Sequence, residues 1–218
     1  MMKLSVVTIL LSVLVAGCAS NGKRYMSDDE SLRMKNASVT VVIKKSPTFK
    51  VLTPAIAVTQ TALGGGLLSA IMADGLSADT LLEKNALTDP ALQISEAMQR
   101  SLEKAHNASV VRVLASDGSQ KTHATTYTLE LETEKWGLKY FPTETTMYGV
   151  NYEARARLYS NKNKTLVAEG ACKEKTELRD NIGSFKEIES GQSPKLKNEL
   201  VRLAQSCIYA LRADMLIY

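Results

Sequence analysis

The chain has 218 residues, with 27 Lys and Arg against 23 Asp and Glu, for a formal charge of +4 at neutral pH. So mild and interspersed an excess lacks the dense basic face that nucleic-acid binding requires, so nucleic acid is excluded as a partner. The length admits one sizeable domain or two small ones.

Met1-Met2-Lys3 is a short basic start, and Leu4 to Leu14 is an uncharged apolar run that ends near the small residues Ala16 and Gly17. This is the layout of an export signal. The run is well short of the roughly 20 residues a membrane-spanning helix needs. Leu14-Val15-Ala16-Gly17-Cys18 resembles the lipobox of bacterial lipoproteins. The resemblance implies cleavage before Cys18, a diacylglycerol on its thiol and a further acyl chain on its amino end, so residues 1–17 are read as a signal peptide. Two or three chains on one residue hold a protein stably on a bilayer, where one alone does not. Ala19 stands where the family's inner-membrane retention signal in enteric bacteria has Asp, which implies the outer membrane, facing the periplasm.

Residues 18–37 are then the lipidated Cys18 and a flexible tether, because a polar stretch carrying Ser27-Asp28-Asp29-Glu30-Ser31 has little to bury. Residues 38–218 are read as a single α+β domain. Val39, Val41 and Ile43 alternate as in a strand, Pro47 interrupts, and Phe49 to Leu52 suggests a second short strand. Val51 to Ala73 carries no charge, and Ala62, Gly66 and Ala70 recur every fourth residue around Gly64-Gly65-Gly66. Small residues on one helical face admit close approach of a helix or lipid. Insertion into a membrane or partner stays open, although close packing within the domain is preferred.

Asp89-Pro90 starts a helix, with Asp89 as cap and Pro90 in the first turn, and Ile94, Met98, Leu102 and Ala105 share one face. His106 ends this helix and is read as meeting its last carbonyls rather than a metal. His123 has no ligand partners at metal spacing, and no metal or cofactor is expected. Val110 to Leu114 forms a strand. Tyr127, Leu129 and Leu131 alternate with Thr128, Glu130 and Glu132. Val150, Tyr152, Ala154, Ala156 and Leu158 form one face of a further strand, opposite Glu153, Arg155 and Arg157. After the polar turn 160–164, Leu166, Ala168, Gly170 and Cys172 read as the inward face of the next. Three strands with short links indicate an antiparallel meander with one face buried. The outward Glu and Arg rows are positioned to pair across strands rather than to perform acid–base chemistry. Residues 178–193 read as a loop, and Ser193-Pro194 opens a helix with a stripe of Leu196, Leu200, Leu203, Ala204, Cys207, Leu211 and Met215.

Once Cys18 is set aside, two cysteines remain. Cys172 is in phase with the inward side of its strand, and Cys207 lies on the apolar stripe of the helix expected to cover it. A disulfide between them is the preferred reading over two buried free thiols.

Trp136, Tyr140 and Phe141, with Tyr148 after them, gather the aromatics at one connection. Such rings serve as binding anchors or plug the end of a sheet. Local packing is preferred, and the possible partner surface comprises these three residues with Gly64, Gly65 and Gly66. The predicted fold is a two-layer α+β sandwich, a mostly antiparallel sheet with helices on one face. Together the glycine-rich helix, Asp-Pro-capped helix, Trp136 strand and late cysteine pair resemble uncharacterised Gram-negative envelope lipoproteins, which carry no activity over to this chain. With no nucleophile–base motif, no catalytic residue is assigned and an enzyme is not expected. The functional expectation is a non-enzymatic interaction or accessory protein of an envelope transport or assembly system, with an envelope protein as partner. The alternative is a carrier or sensor of a small apolar ligand in the periplasm.

Overall fold

A computed structural model describes residues 23–54, 78–114, 125–191 and 193–215. Cys18, residues 55–73 of the uncharged segment with Gly64, Gly65 and Gly66, and His123 lie outside the described residues.

The architecture grows from one long hairpin. Strands β4 (Tyr127–Phe141) and β5 (Glu144–Ser160) pair antiparallel, and β6 (Thr165–Lys175) continues the meander on the other edge of β5. Period-two alternation does the sorting. Tyr127, Leu129 and Leu131 of β4 and Tyr152, Ala154, Ala156 and Leu158 of β5 are buried on one face. On β6, Ala168, Gly170 and Cys172 join that face as expected. Leu166 does not: a register shift near Val167 sets it opposite Tyr159 on the other face, half-buried.

The sheet is mixed, in the order β3-β1-β4-β5-β6. Strand β1 (Ser38–Ile43) lies parallel to both β3 (Ser109–Leu114) and β4. Helix α3 (Ala91–His106) is part of the long crossover that parallel β1 and β3 require. A short strand, β2 (Lys50–Leu52), follows β1 along the same edge of β4, and β7 (Gly183–Ser184) pairs with β5. The 178–193 region, expected as loop, contains β7, a 3-10 turn at 178–180 and the short helix α4 (Phe185–Glu189), which opens with a Ser184–Glu187 capping box. Helix α2 (Ala78–Lys84) packs against α4, and Asn85 donates to the Ile188 carbonyl at 2.8 Å.

Helices α3 and α5 (Pro194–Met215) cover one face of the sheet and touch each other. The N-cap of α3 is Pro90, one place after the expected Asp89, whose Oδ1 accepts the Ala91 N–H at 2.7 Å and the hydroxyls of Thr133 and Tyr152 at 3.0 and 3.2 Å. Ile94, Met98 and Leu102 of α3 and Leu203, Cys207 and Leu211 of α5 are fully buried, so the core is the layer between helices and sheet. Gly170 lets α5 approach β6 closely, because a Cβ there would stand 3.1 Å from Met215 Cγ and 3.3 Å from the Leu211 carbonyl. That approach brings Cys172 and Cys207 to a Cα separation of 5.3 Å, and their sulfurs are bonded.

The described part of the expected tether is not free chain. Residues 23–36 form a strap that contains helix α1 (Asp28–Met34), capped by Ser27. Arg24 exchanges two backbone hydrogen bonds with Glu169 on the edge of β6, each 2.8 Å. Lys23 Nζ meets the buried carboxylate of Asp214 at 2.8 Å. Met26 and Met34 enter the core, and Tyr127 OH donates to Glu30 at 3.0 Å. Its hydroxyl pKa is pushed up to about 12, mainly by burial and then by that carboxylate. A polar stretch with two well-placed methionines thus gains a packed position that local composition cannot announce.

His106 links the strap to α3. Its ring is buried, bonded to the Ser31 backbone with Nε2 unpartnered among the described residues, and burial holds its pKa below the usual value despite that bond. A histidine depressed in the folded state stays neutral while the unfolded chain takes up a proton. Its contribution is therefore complete above about pH 6.5 and is lost as pH falls through the folded value, with a slope of at most about 1.4 kcal/mol per pH unit. Melts at pH 7.5 and 5.5 are expected to show a smaller pH-dependent loss for His106→Gln than for the unchanged protein. An identical loss in both would remove His106 as the titrating group.

Candidate functional site

The face of the sheet opposite α3 and α5 carries the rows of charge read from β4 and β5, and they interlock across strands. Arg157 meets Glu169 at 2.8 Å and Glu132 at 3.3 Å, while Arg155 meets Glu169 at 3.1 Å and also bonds Glu134. Lys44 of the β1–β2 link reaches Glu130 at 2.8 Å, and Lys135 and Lys173 flank Glu153. Five cations face five carboxylates in this lattice. Burial works against the charged form of Glu169, but hydrogen bonds from Arg157 and Arg155 outweigh it and hold its pKa below the usual carboxylate range. General acid catalysis needs the opposite shift, a carboxyl raised toward neutrality. The lattice is suited to holding the sheet's shape and presenting an even, polar surface.

At the end of the β4–β5 arm the aromatic residues separate into two groups. Trp136 faces the core: it is 6% exposed, its Nε1–H donates to the Pro47 carbonyl at 2.8 Å, and its ring meets Phe49 edge-on at 4.8 Å. Tyr148 is buried against Phe185 with ring centroids 5.3 Å apart. Tyr140 and Phe141 remain half-exposed, beside the two-residue turn Pro142-Thr143. They line a recess of 220 Å³ with Lys139, Lys175 and Leu178. Trp136 therefore serves local packing, while Tyr140, which is itself partly packed against the core, and Phe141 stand on an accessible recess.

The cause of this division is a bulge. Thr133 pairs with Ala154 but Lys135 pairs with Glu153, so Glu134 is an extra residue on β4. Inward positions before it are odd-numbered, Tyr127 to Thr133. After it they are even, Trp136 and Leu138. The β1–β2 link bridges the bulge, which is where Pro47, lacking an N–H, interrupts strand pairing. Beyond it, β2 comes so close to Gly137 that a Cβ there would run into the Lys50 backbone.

A second recess, 380 Å³, opens between the start of α3 and α5, lined by Leu87, Asp89, Leu92, Lys197 and Val201. Leu92 and Val201 are exposed on its rim. The buried Asp89 Oδ2 has no partner among the described residues, while Oδ1 is saturated by three donors. Among the described residues no three His, Cys, Asp or Glu gather as a metal site, and no helix is long and apolar enough to cross a membrane.

Sequence reasoning missed the strap and its contacts with Glu169, Asp214 and Tyr127. Nothing local encodes a bond such as Lys23–Asp214, which joins residues 191 positions apart.

No family model matches the chain, and no curated protein matches it. Among solved structures, the protein CT253 of Chlamydia trachomatis aligns over 82% of this chain and 96% of its own, with 15% identity and a TM-score of 0.39. A PelC dodecamer from Paraburkholderia phytofirmans aligns over 88% and 93%, at 12% identity and TM-score 0.35. The lipoprotein GNA1162 of Neisseria meningitidis aligns over 76% and 99%, at 14% identity and TM-score 0.27. Likenesses this distant assign this chain neither a family nor an activity.

Proposed function

We propose that this protein is a lipid-anchored envelope lipoprotein, held by Cys18 on the outer membrane and facing the periplasm. In this reading it serves as a non-enzymatic accessory protein that binds an envelope protein partner. The observation that carries the binding role is the end of the β4–β5 arm, where Tyr140 and Phe141 stand half-exposed on a 220 Å³ recess. Aromatic side chains on a rigid strand end offer large contact area at low entropic cost, which suits binding anchors. The leader ending at Cys18 supports the anchor, and a disulfide in the core fits an oxidising compartment.

A photo-crosslinking residue placed at Tyr140 in the full chain, in native membranes, is expected to yield a discrete protein adduct. The same residue at Tyr209, exposed on α5, is expected to yield none. The double change Tyr140→Ala and Phe141→Ala should cut co-isolation of that partner by about tenfold or more, as for other aromatic anchor pairs, with thermal stability little altered. No adduct at Tyr140, with a small apolar molecule co-purifying instead, would favour a carrier over an accessory protein.

A further inference from the structure

We infer that the outer surface of the strap, at Tyr25 and Leu32, is a docking face for the bilayer surface itself, so that the domain is mounted on the membrane at a fixed orientation. This rests on the reading of Cys18 as the acylated residue.

The strap is tied to the domain at both ends and along its length. Arg24 is paired to the β6 edge, Lys23 to Asp214, Met26 and Met34 are buried, and the Asn36 N–H donates to the His106 carbonyl at 2.9 Å. The chain is therefore fixed to the domain from Lys23 onward. Five Cα–Cα steps separate Cys18 from Lys23, and a fully extended chain of that length reaches at most about 18 Å. A lipid on Cys18 consequently holds the edge of β6 close to the headgroups whatever path those residues take.

The strap's surface has the chemistry that this position favours. Tyr25 is 59% exposed and Leu32 61%, the latter on the outward side of α1 opposite the buried Met34. Tyr at the membrane–water boundary buries its ring among headgroups and keeps its hydroxyl wet, and a nearby Leu adds apolar area. Arg24 is exposed, and Arg33, which pairs with Glu30 at 3.5 Å, has 69% of its side chain exposed, so Arg24 is the guanidinium better placed to meet lipid phosphates. Glu169, which Arg24 pairs, aligns with Arg157 and through it with Glu130, and from Glu130 the strand runs eleven residues to Phe141, about 35 Å at strand rise. The recess at Tyr140 and Phe141 thus lies far along the sheet from the strap.

Hydroxyl-radical footprinting of the full acylated chain on vesicles of phosphatidylethanolamine and phosphatidylglycerol tests this. A second form carries a long Gly/Ser linker inserted between Gly22 and Lys23. Oxidation of Tyr25 relative to Tyr209, and of Leu32 relative to Leu92, should be several-fold lower at native spacing than with the linker. Equal ratios in the two forms overturn the docking face. Intact mass and vesicle flotation report separately on the anchor: absence of acyl chains and of flotation would refute the acylation and the inference that depends on it. Acylated, floating protein with equal ratios would refute the docking face alone.

Discussion

Replacing both Cys172 and Cys207 by Ala is expected to lower the unfolding free energy by about 3 to 4 kcal/mol. The crosslink closes a loop of 35 residues, and loop-closure entropy for that length accounts for the figure at 25 °C. Domains of this size are stable by about 5 to 15 kcal/mol in total, so the loss is a large share. The bond also joins the two layers directly, β6 to α5, beside Gly170 where the helix comes closest to the sheet. Urea unfolding of the intact protein with and without reductant, alongside the double variant, measures it. The midpoint should fall by about 1.5 to 2 M on either treatment, for a dependence on urea near 2 kcal/mol per molar. The double variant should no longer respond to reductant. Equal midpoints for the oxidised and reduced protein would mean that the thiols are not joined in solution, leaving two buried cysteines that only pack.

The same pair illustrates what a sequence can and cannot announce. Cys172 and Cys207 each sit in a simple periodicity, period two on β6 and helical on α5, so their faces could be matched without coordinates. The stripe from Leu196 to Met215 and the alternation of Tyr127 to Glu132 were legible for the same reason. Periodicity stops being informative where a strand changes phase. The extra residue at Glu134 turns an odd pattern into an even one, so a single strand of 15 residues reads as a short strand followed by an aromatic loop. The register shift near Val167 misplaces Leu166 in the same way. The parallel pairing of β1 with both β3 and β4 was hidden because every residue from Val39 to Ile43 is buried, so no polar face marks an orientation. The strap was hidden by its composition: its place depends on cavities for Met26 and Met34 that belong to distant elements. Of the candidate surface, Tyr140 and Phe141 were identifiable as aromatic residues near a turn. The phase shift that turns Trp136 into the core and leaves those two beside a recess was not.

Trp136→Ala is expected to cost about 3 to 5 kcal/mol, the range for truncating a buried large aromatic side chain. Three contacts fail together. The ring lies in register with Tyr152, meets Phe49 edge-on at 4.8 Å, and holds the Pro47 carbonyl with its N–H at 2.8 Å. Truncation opens a cavity beneath the β1–β2 link and leaves that carbonyl without its donor, just where the bulge has removed regular ladder bonds. Trp136→Phe separates the two effects, since it retains most of the apolar area and gives up the N–H; about 1 kcal/mol is expected for it. Tyr140→Ala and Phe141→Ala, whose side chains are half-exposed, should each cost much less than Trp136→Ala in the same chemical unfolding measurement. This ordering discriminates between the two roles that aromatic residues can play at one end of a sheet. A Trp136→Ala protein that unfolds at the original midpoint but loses its partner would mark the indole as a binding anchor exposed in solution. A protein that unfolds early, with partner binding restored when ligand or temperature brings back the fold, marks Trp136 as the support that holds Tyr140 and Phe141 in position.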